Sequence, residues 1–218
     1  MKVTINAAMT IDGKIATASG DSTISSKEDL KRVHSLRAGS DAVMVGISTV
    51  LADDPQLTVR LVRGRNPARV VIDSRGRIPD DSQLLRTARK VRTLVAASRQ
   101  ASAADVERIR QAGAEVIVAG DKAVDLKALF SALEKKMGFR KILVEGGGEL
   151  NWSVLSLGLA DELVLTIAPR VAGGRLATTL VEGDGYDTIS QGPKFRLARV
   201  QKTKAGELVL FYRVGKNP

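Results

Sequence analysis

Cysteine is absent from the 218 residues, and histidine occurs once. Without thiols there is no disulfide framework, no thiolate zinc site and no cysteine nucleophile. The single histidine, His34, makes a histidine-rich metal site or a Ser-His-Asp hydrolase triad a poor fit. Aromatic residues are 3% of a chain that is 44% hydrophobic, so the core must be aliphatic. No apolar run approaches the ~18 residues of a membrane span. The N-terminus passes straight into a strand-like pattern, without the apolar core and small-residue cleavage site of a signal peptide. A cytoplasmic protein with no metal and no membrane partner is the expectation.

Positive charge is plentiful: 34 Lys and Arg face 24 Asp and Glu, a net +10. Such an excess attracts polyanions, and nucleic acid is the first partner to weigh. The bases are scattered, however, with short clusters only at residues 60–69 and 86–92. Few rings are on hand to stack single-stranded bases. A small anionic substrate with an anionic cofactor accounts for the charge equally well, and no nucleic-acid partner is expected.

Short β-branched runs at residues 3–7, 42–45, 70–72, 91–96, 115–118, 142–144 and 163–167 alternate with helical spacing over 27–37, 103–112, 126–137 and 150–157. That alternation predicts βαβ units and a largely parallel sheet covered on both faces. Residues 195–201 and 207–214 flank Thr203-Lys204-Ala205-Gly206, an antiparallel hairpin closing the sheet. No linker or repeat divides the chain, so one domain over residues 1–218 is expected. Ser25 or Ser26 can cap the first helix, with Glu28 or Asp29 as the capping-box acid. His34 on that helix reads as structural.

Four segments carry chemistry. In the first, an apolar strand stops at Glu145, passes through Gly146, Gly147 and Gly148 and enters a helix with Glu149 and Leu150. Glycines let backbone N–H groups approach a ligand, and a helix N-terminus favours an anion. The spacing is neither GxGxxG nor a P-loop. In the second, a buried strand leads through Gly46 to a short helical turn ended by Pro55, with Thr49 and Asp53 four apart on one face. A hydroxyl beside a carboxylate suits a ribose or an amide. In the third, Val70-Val71-Ile72 ends in Asp73-Ser74-Arg75-Gly76-Arg77, and a nearby arginine favours a 2′-phosphorylated dinucleotide. In the fourth, Met9-Thr10-Ile11-Asp12-Gly13-Lys14 marks a turn whose lysine can meet a carbonyl or phosphate or simply remain solvated.

Taken in this order the segments resemble the reductase family of riboflavin biosynthesis, the C-terminal domain of the bifunctional deaminase/reductase and its stand-alone archaeal relatives. The matching stretches are MTIDGK (9–14), GDSTIS (20–25), RVHSLR (32–37), DAVMVGISTVLADDPQLTV (41–59), RVVIDS (69–74), ILVEGGG (142–148) and DELVLTIAP (161–169). The resemblance implies a dihydrofolate-reductase-like α/β three-layer sandwich, with a mostly parallel central sheet and a C-terminal antiparallel hairpin. It also implies a homodimer that uses NADPH. It places Thr49, Asp53, Ser74, Arg75, Val118, Gly146, Gly147, Gly148, Glu149 and Leu150 at the cofactor. Ser22, Arg37, Leu57, Arg60 and Glu145 fall at the substrate, and Lys14 matches the basic residue after Asp-Gly. Lys14 and Glu145 are the candidate catalytic residues. Bacterial members often carry a Trp where Thr23-Ile24 follows here, so the chain looks like the archaeal form.

The implied reaction reduces the ribosylamino group of a pyrimidine 5′-phosphate to a ribitylamino chain. A zinc-deaminase signature (His-x-Glu with Pro-Cys-x-x-Cys) is missing from the sequence. The expected substrate is therefore the form not yet deaminated, 2,5-diamino-6-ribosylamino-4(3H)-pyrimidinone 5′-phosphate, with its uracil analogue as the alternative. Arg37 and Arg60 would hold the 5′-phosphate, Glu145 would bind sugar hydroxyls or support proton transfer, and Lys14 would hydrogen-bond the substrate. The rivals are a dihydrofolate reductase, whose helix carboxylate Glu28 or Asp29 would supply only poorly, and an RNA-binding module.

Overall fold

The computed structural model describes residues 1–215, which form two compact units. The first comprises Met1 and residues 35–143; the second comprises residues 2–34 and the chain from Val144 onward.

The first unit is built on β2 (Ala42–Gly46), β3 (Ala68–Ile72), β4 (Thr93–Ala97) and β5 (Glu115–Val118), parallel in the order β5-β4-β3-β2. The strand β6 (Lys141–Val144) follows beside β2, and its last residue belongs to the second unit. Strands β2 to β4 are almost wholly buried, as expected of parallel strands covered on both faces. Val43, Val45, Val71 and Val95 share one apolar cluster with Ile47, Leu84, Leu85 and Ile109. Helix α4 (Ala103–Gln111) starts at Ser102, whose hydroxyl accepts the Asp105 N–H at 3.0 Å. Helix α5 (Leu126–Lys135) starts at Asp125, whose carboxylate accepts the Ala128 N–H at 3.0 Å. The buried side chains of α5, Leu126, Leu129, Phe130 and Leu133, fall at helical spacing. The short α3 (Gln83–Arg86) has no counterpart in the sequence pattern.

Arg69 on β3, in one of the short basic clusters of the sequence, is fully buried. Its guanidinium donates to Thr93 Oγ1 from Nε at 3.0 Å and from Nη2 at 2.6 Å, and to Thr87 Oγ1 at 2.8 Å. It also donates to the carbonyls of Leu84 (3.0 Å), Val91 (3.1 Å) and Gln56 (3.4 Å). Burial pushes its pKa down to about 10, which still leaves the cation intact at neutral pH. Five separate partners thus satisfy a fork that would otherwise be costly to bury.

The second unit orders its strands β1-β7-β9-β8. Strand β1 (Lys2–Thr10) runs parallel to β7 (Glu162–Ala168), and β9 (Leu208–Val214) and β8 (Phe195–Lys202) add as the expected antiparallel hairpin. Two more helices begin here, α1 (Lys27–Ala38) and α6 (Gly148–Ser156). Ser26 is the cap of α1, its hydroxyl accepting the Asp29 N–H at 3.2 Å. The expected capping box is split. Ser26 gives both its N–H and its hydroxyl to Glu207, each at 2.6 Å, from the turn before β9. Asp29 instead takes the Ser25 hydroxyl (2.7 Å), Arg32 Nε (2.8 Å) and the Thr166 hydroxyl (2.8 Å). Asp29 and Glu207 are both buried, so the α1 start is tied to the sheet by two enclosed carboxylates.

Arg69→Met should cost about 3 kcal/mol, because it leaves several enclosed acceptors without donors. Urea unfolding at neutral pH measures this, and a loss under about 1 kcal/mol would contradict it. Glu207→Ala should cost about 2 kcal/mol by stripping the cap of α1, with Glu207→Gln losing less than half of that.

Candidate active site

In the first unit the carboxyl end of β2 turns into α2 (Ile47–Asp53), the short helix expected there. Thr49 and Asp53 lie one turn apart on it. Asp54 ends the helix in the left-handed region (φ 39°) and donates its N–H to the Val50 carbonyl. Its carboxylate accepts the Gln83 N–H at 2.7 Å, and its carbonyl accepts Gln83 Nε2 at 2.6 Å. Leu57, three residues on, is also left-handed (φ 52°) while its side chain sits in the core. A leucine holds such a backbone only when its surroundings impose it, at a cost of about 1–2 kcal/mol. Leu57 is enclosed as a whole residue, and its left-handed backbone shapes the loop that follows.

The same loop gathers two of the expected substrate residues. Arg37 Nη1 donates to the Thr58 carbonyl at 3.2 Å. Arg60 Nη1 donates to Gln56 Oε1 at 2.6 Å and to Thr58 Oγ1 at 2.7 Å. Burial, and then the positive charge of Arg37, lowers the Arg60 pKa. Two guanidiniums that repel each other across one threonine are a natural seat for an anion.

Ser74 follows β3 and joins three loops. Its carbonyl accepts the Ser98 N–H at 3.1 Å and the Ser98 hydroxyl at 2.8 Å, beyond β4. Its own hydroxyl oxygen accepts the Val124 N–H at 3.1 Å, beyond β5. With that oxygen engaged as an acceptor, its proton is free to point at a ligand oxygen. Arg75 beside it is exposed, and Val118 at the end of β5 is 50% exposed. Neither Ser98 nor Val124 stands out in the sequence.

In the second unit the glycines lead into α6 as expected. Gly147 is the helix N-cap and supplies no side-chain cap to the first turn. Gly146 is left-handed (φ 83°), and the Gly146–Gly147 peptide is cis. A Cβ on Gly148 would come within 2.8 Å of the Thr179 carbonyl and of Glu182 Cγ, so close packing demands glycine there. Glu145 is half-buried at the mouth of this loop, Glu149 is exposed and Leu150 is buried.

Residues 177–182 link the glycine loop to the Lys14 turn. Lys14 Nζ donates to the Ala177 carbonyl at 3.1 Å, and the Ile15 N–H to Thr178 at 2.9 Å. Farther along, the Leu180 carbonyl accepts Asn151 Nδ2 at 2.8 Å and the Gly148 carbonyl accepts the Glu182 N–H at 3.1 Å. Lys14 is thus held beside the α6 N-terminus. Asp12, which the sequence marks only as turn punctuation, accepts the N–H groups of Ala172 (3.1 Å) and Gly173 (2.7 Å). Its pKa falls to about 2, through the Thr10 hydroxyl first and then the Gly173 N–H. Ser22 is exposed in the segment before α1. His34 is buried on α1. Among the described residues no group of three or more His, Asp or Glu could hold a metal ion, and no helix is long and apolar enough to cross a membrane.

Residues 1–209 match the RibD C-terminal domain family. The chain is 47% identical over 215 residues to 2,5-diamino-6-ribosylamino-4(3H)-pyrimidinone 5′-phosphate reductase of Methanothermobacter thermautotrophicus, covering 97% of each. It resembles the solved RibD of Acinetobacter baumannii with a TM-score of 0.84 at 28% identity, over 98% of this chain and 58% of that one. Dihydrofolate reductase of Enterococcus faecalis shares the fold, with a TM-score of 0.57 at 14% identity over 98% and 96% of the two chains. The α/β, dihydrofolate-reductase-like architecture expected from the sequence is the one found, with its mostly parallel sheet and antiparallel C-terminal strands. The chain belongs to the RibD C-terminal domain family of reductases.

Proposed function

We propose that this protein reduces the ribosylamino group of 2,5-diamino-6-ribosylamino-4(3H)-pyrimidinone 5′-phosphate to a ribitylamino group, with NADPH as the hydride source. The observation that carries the reading is the 47% identity, over 97% of each chain, to an archaeal protein named for that reduction. The site residues suit the two anions involved. An uncapped helix start after three glycines favours a phosphate, the Ser74 hydroxyl has a proton to give, and Arg37 and Arg60 meet at Thr58.

The chemistry NADPH supplies when bound is a hydride from nicotinamide C4. A ribosylamine opens when its exocyclic N–H proton passes to the ring oxygen, which leaves a C1′=N imine. Hydride then adds to C1′ and a proton to nitrogen, giving the open ribitylamine. In this reading Arg37 and Arg60 hold the 5′-phosphate as paired cations. Leu57 and Ser22 match substrate positions of the family pattern. Lys14, already donating to the Ala177 carbonyl, hydrogen-bonds the substrate with its remaining N–H groups. Glu145 binds the sugar hydroxyls or supports the proton transfer. Thr49 and Asp53 offer a hydroxyl and a carboxylate on one face of α2 for the cofactor's ribose or amide.

The same reading makes the protein a cytoplasmic homodimer. The outer strand β8 exposes Phe195, Leu197 and Val200, apolar surface that a second copy would cover.

NADPH oxidation should be far faster with the diamino pyrimidinone phosphate than with its deaminated uracil analogue, measured side by side. A preference for the uracil compound would reverse the assignment of substrate. Turnover with dihydrofolate alone would replace it. Glu145→Gln should slow single-turnover hydride transfer by about 100-fold, and an unchanged rate with unchanged substrate affinity would remove Glu145 from the site.

A further inference from the structure

The eight residues Asp73-Ser74-Arg75-Gly76-Arg77-Ile78-Pro79-Asp80 leave β3 without regular structure. Their backbone groups must find partners elsewhere. Asp73, fully buried, serves the N–H side. Its Oδ2 accepts the Ile78 N–H at 2.8 Å, and the N–H groups of Arg75 and Arg77 face the same carboxylate. Burial raises its pKa against those contacts. Arg108 of α4 serves the C=O side. It donates from Nη2 to the Gly76 carbonyl at 2.6 Å and from Nη1 to the Ile78 carbonyl at 2.9 Å, and it pairs with Asp80. The loop lies so close to α4 that a Cβ on Gly76 would come within 3.0 Å of Asp105 Cβ. Gly76 is also left-handed, at φ 69°.

With the N–H groups of Arg75, Arg77 and Ile78 turned to the Asp73 carboxylate and the carbonyls of Gly76 and Ile78 to Arg108, the loop offers a ligand chiefly its side chains. Those are the Ser74 hydroxyl and the exposed guanidiniums of Arg75 and Arg77. Arg77 Nε is 3.8 Å from Asp73 Oδ1, and Arg75 has no ion pair among the described residues. Two arginines and a serine hydroxyl on a clamped loop suit a phosphomonoester on a ribose. We propose that Asp73 and Arg108 are positioning residues that fix this loop for the 2′-phosphate of the dinucleotide, and so set the preference for NADPH over NADH. The proposal rests on the reading of the protein as an NADPH-dependent reductase. Arg108 spends its donors on backbone carbonyls and acts through Arg75, Arg77 and Ser74.

Binding of NADPH and of NADH to the intact protein, to Arg108→Met and to Arg108→Lys tests the proposal, alongside the KM for the pyrimidine phosphate. Arg108→Met should weaken NADPH about tenfold, the equivalent of one charge-assisted hydrogen bond. NADH should weaken less than about twofold, and the pyrimidine KM should not move. Arg108→Lys keeps the charge and the stem but cannot span both carbonyls, so it should weaken NADPH by a smaller factor with the same selectivity. It carries the test should the methionine variant not fold. Equal weakening of NADPH and NADH would overturn the proposal, since a merely structural arginine does that. Unchanged NADPH affinity in a folded variant would overturn it alone. Absence of NADPH binding by the unaltered protein would overturn the cofactor reading and this proposal together.

Discussion

Parallel strands buried on both faces cannot carry chemistry along their length. Strands β2, β3 and β4 present almost nothing but enclosed aliphatic side chains and alanines. Their backbone groups are consumed by neighbouring strands, so polar function is confined to the points where strands stop. Each candidate segment obeys this. Gly46 leads β2 into α2, Asp73 and Ser74 follow β3, and Glu145 with the three glycines follows β6. Once the aliphatic core is fixed, the positions open to ligands are few.

Those positions are held by polar groups that are buried or, at Arg108, half-buried. Arg69 reaches from β3 to the Gln56 carbonyl, on the loop that bears Leu57, Thr58 and Arg60. Glu207 and Asp29 hold the start of α1, just after the segment carrying Ser22. Asp73 and Arg108 hold the loop after β3. Each such group sacrifices hydration and regains it only through well-placed partners. The return is rigidity at loops that would otherwise wander, which is what reaction geometry at the ångström scale requires.

Much of this was legible in the sequence. The β-branched runs mark the strands to within a few residues, because burial on both faces leaves an uninterrupted aliphatic signature. The three glycines at a strand-to-helix junction mark the α6 N-terminus, since they serve the backbone directly. What stayed hidden depends on distant partners. Glu207 completes the cap of Ser26 from 181 residues away, and no local pattern separates it from a hairpin carboxylate in solvent. Arg69 and Arg108 look like members of a scattered basic surface until the fold surrounds one with Thr87 and Thr93 and lays the other against Gly76. Leu57 matches a substrate position in the family pattern, but its left-handed backbone and its burial depend on the folded loop around it.

In the proposed reaction hydride passes to the sugar carbon attached to the pyrimidine amine. Incubation of the protein with the diamino pyrimidinone phosphate and NADPH deuterated at nicotinamide C4 tests it most directly, when both C4 positions carry deuterium. The account predicts one deuterium in the product, at C1′ of the ribityl chain. Product without deuterium, or deuterium on the pyrimidine ring, would contradict it.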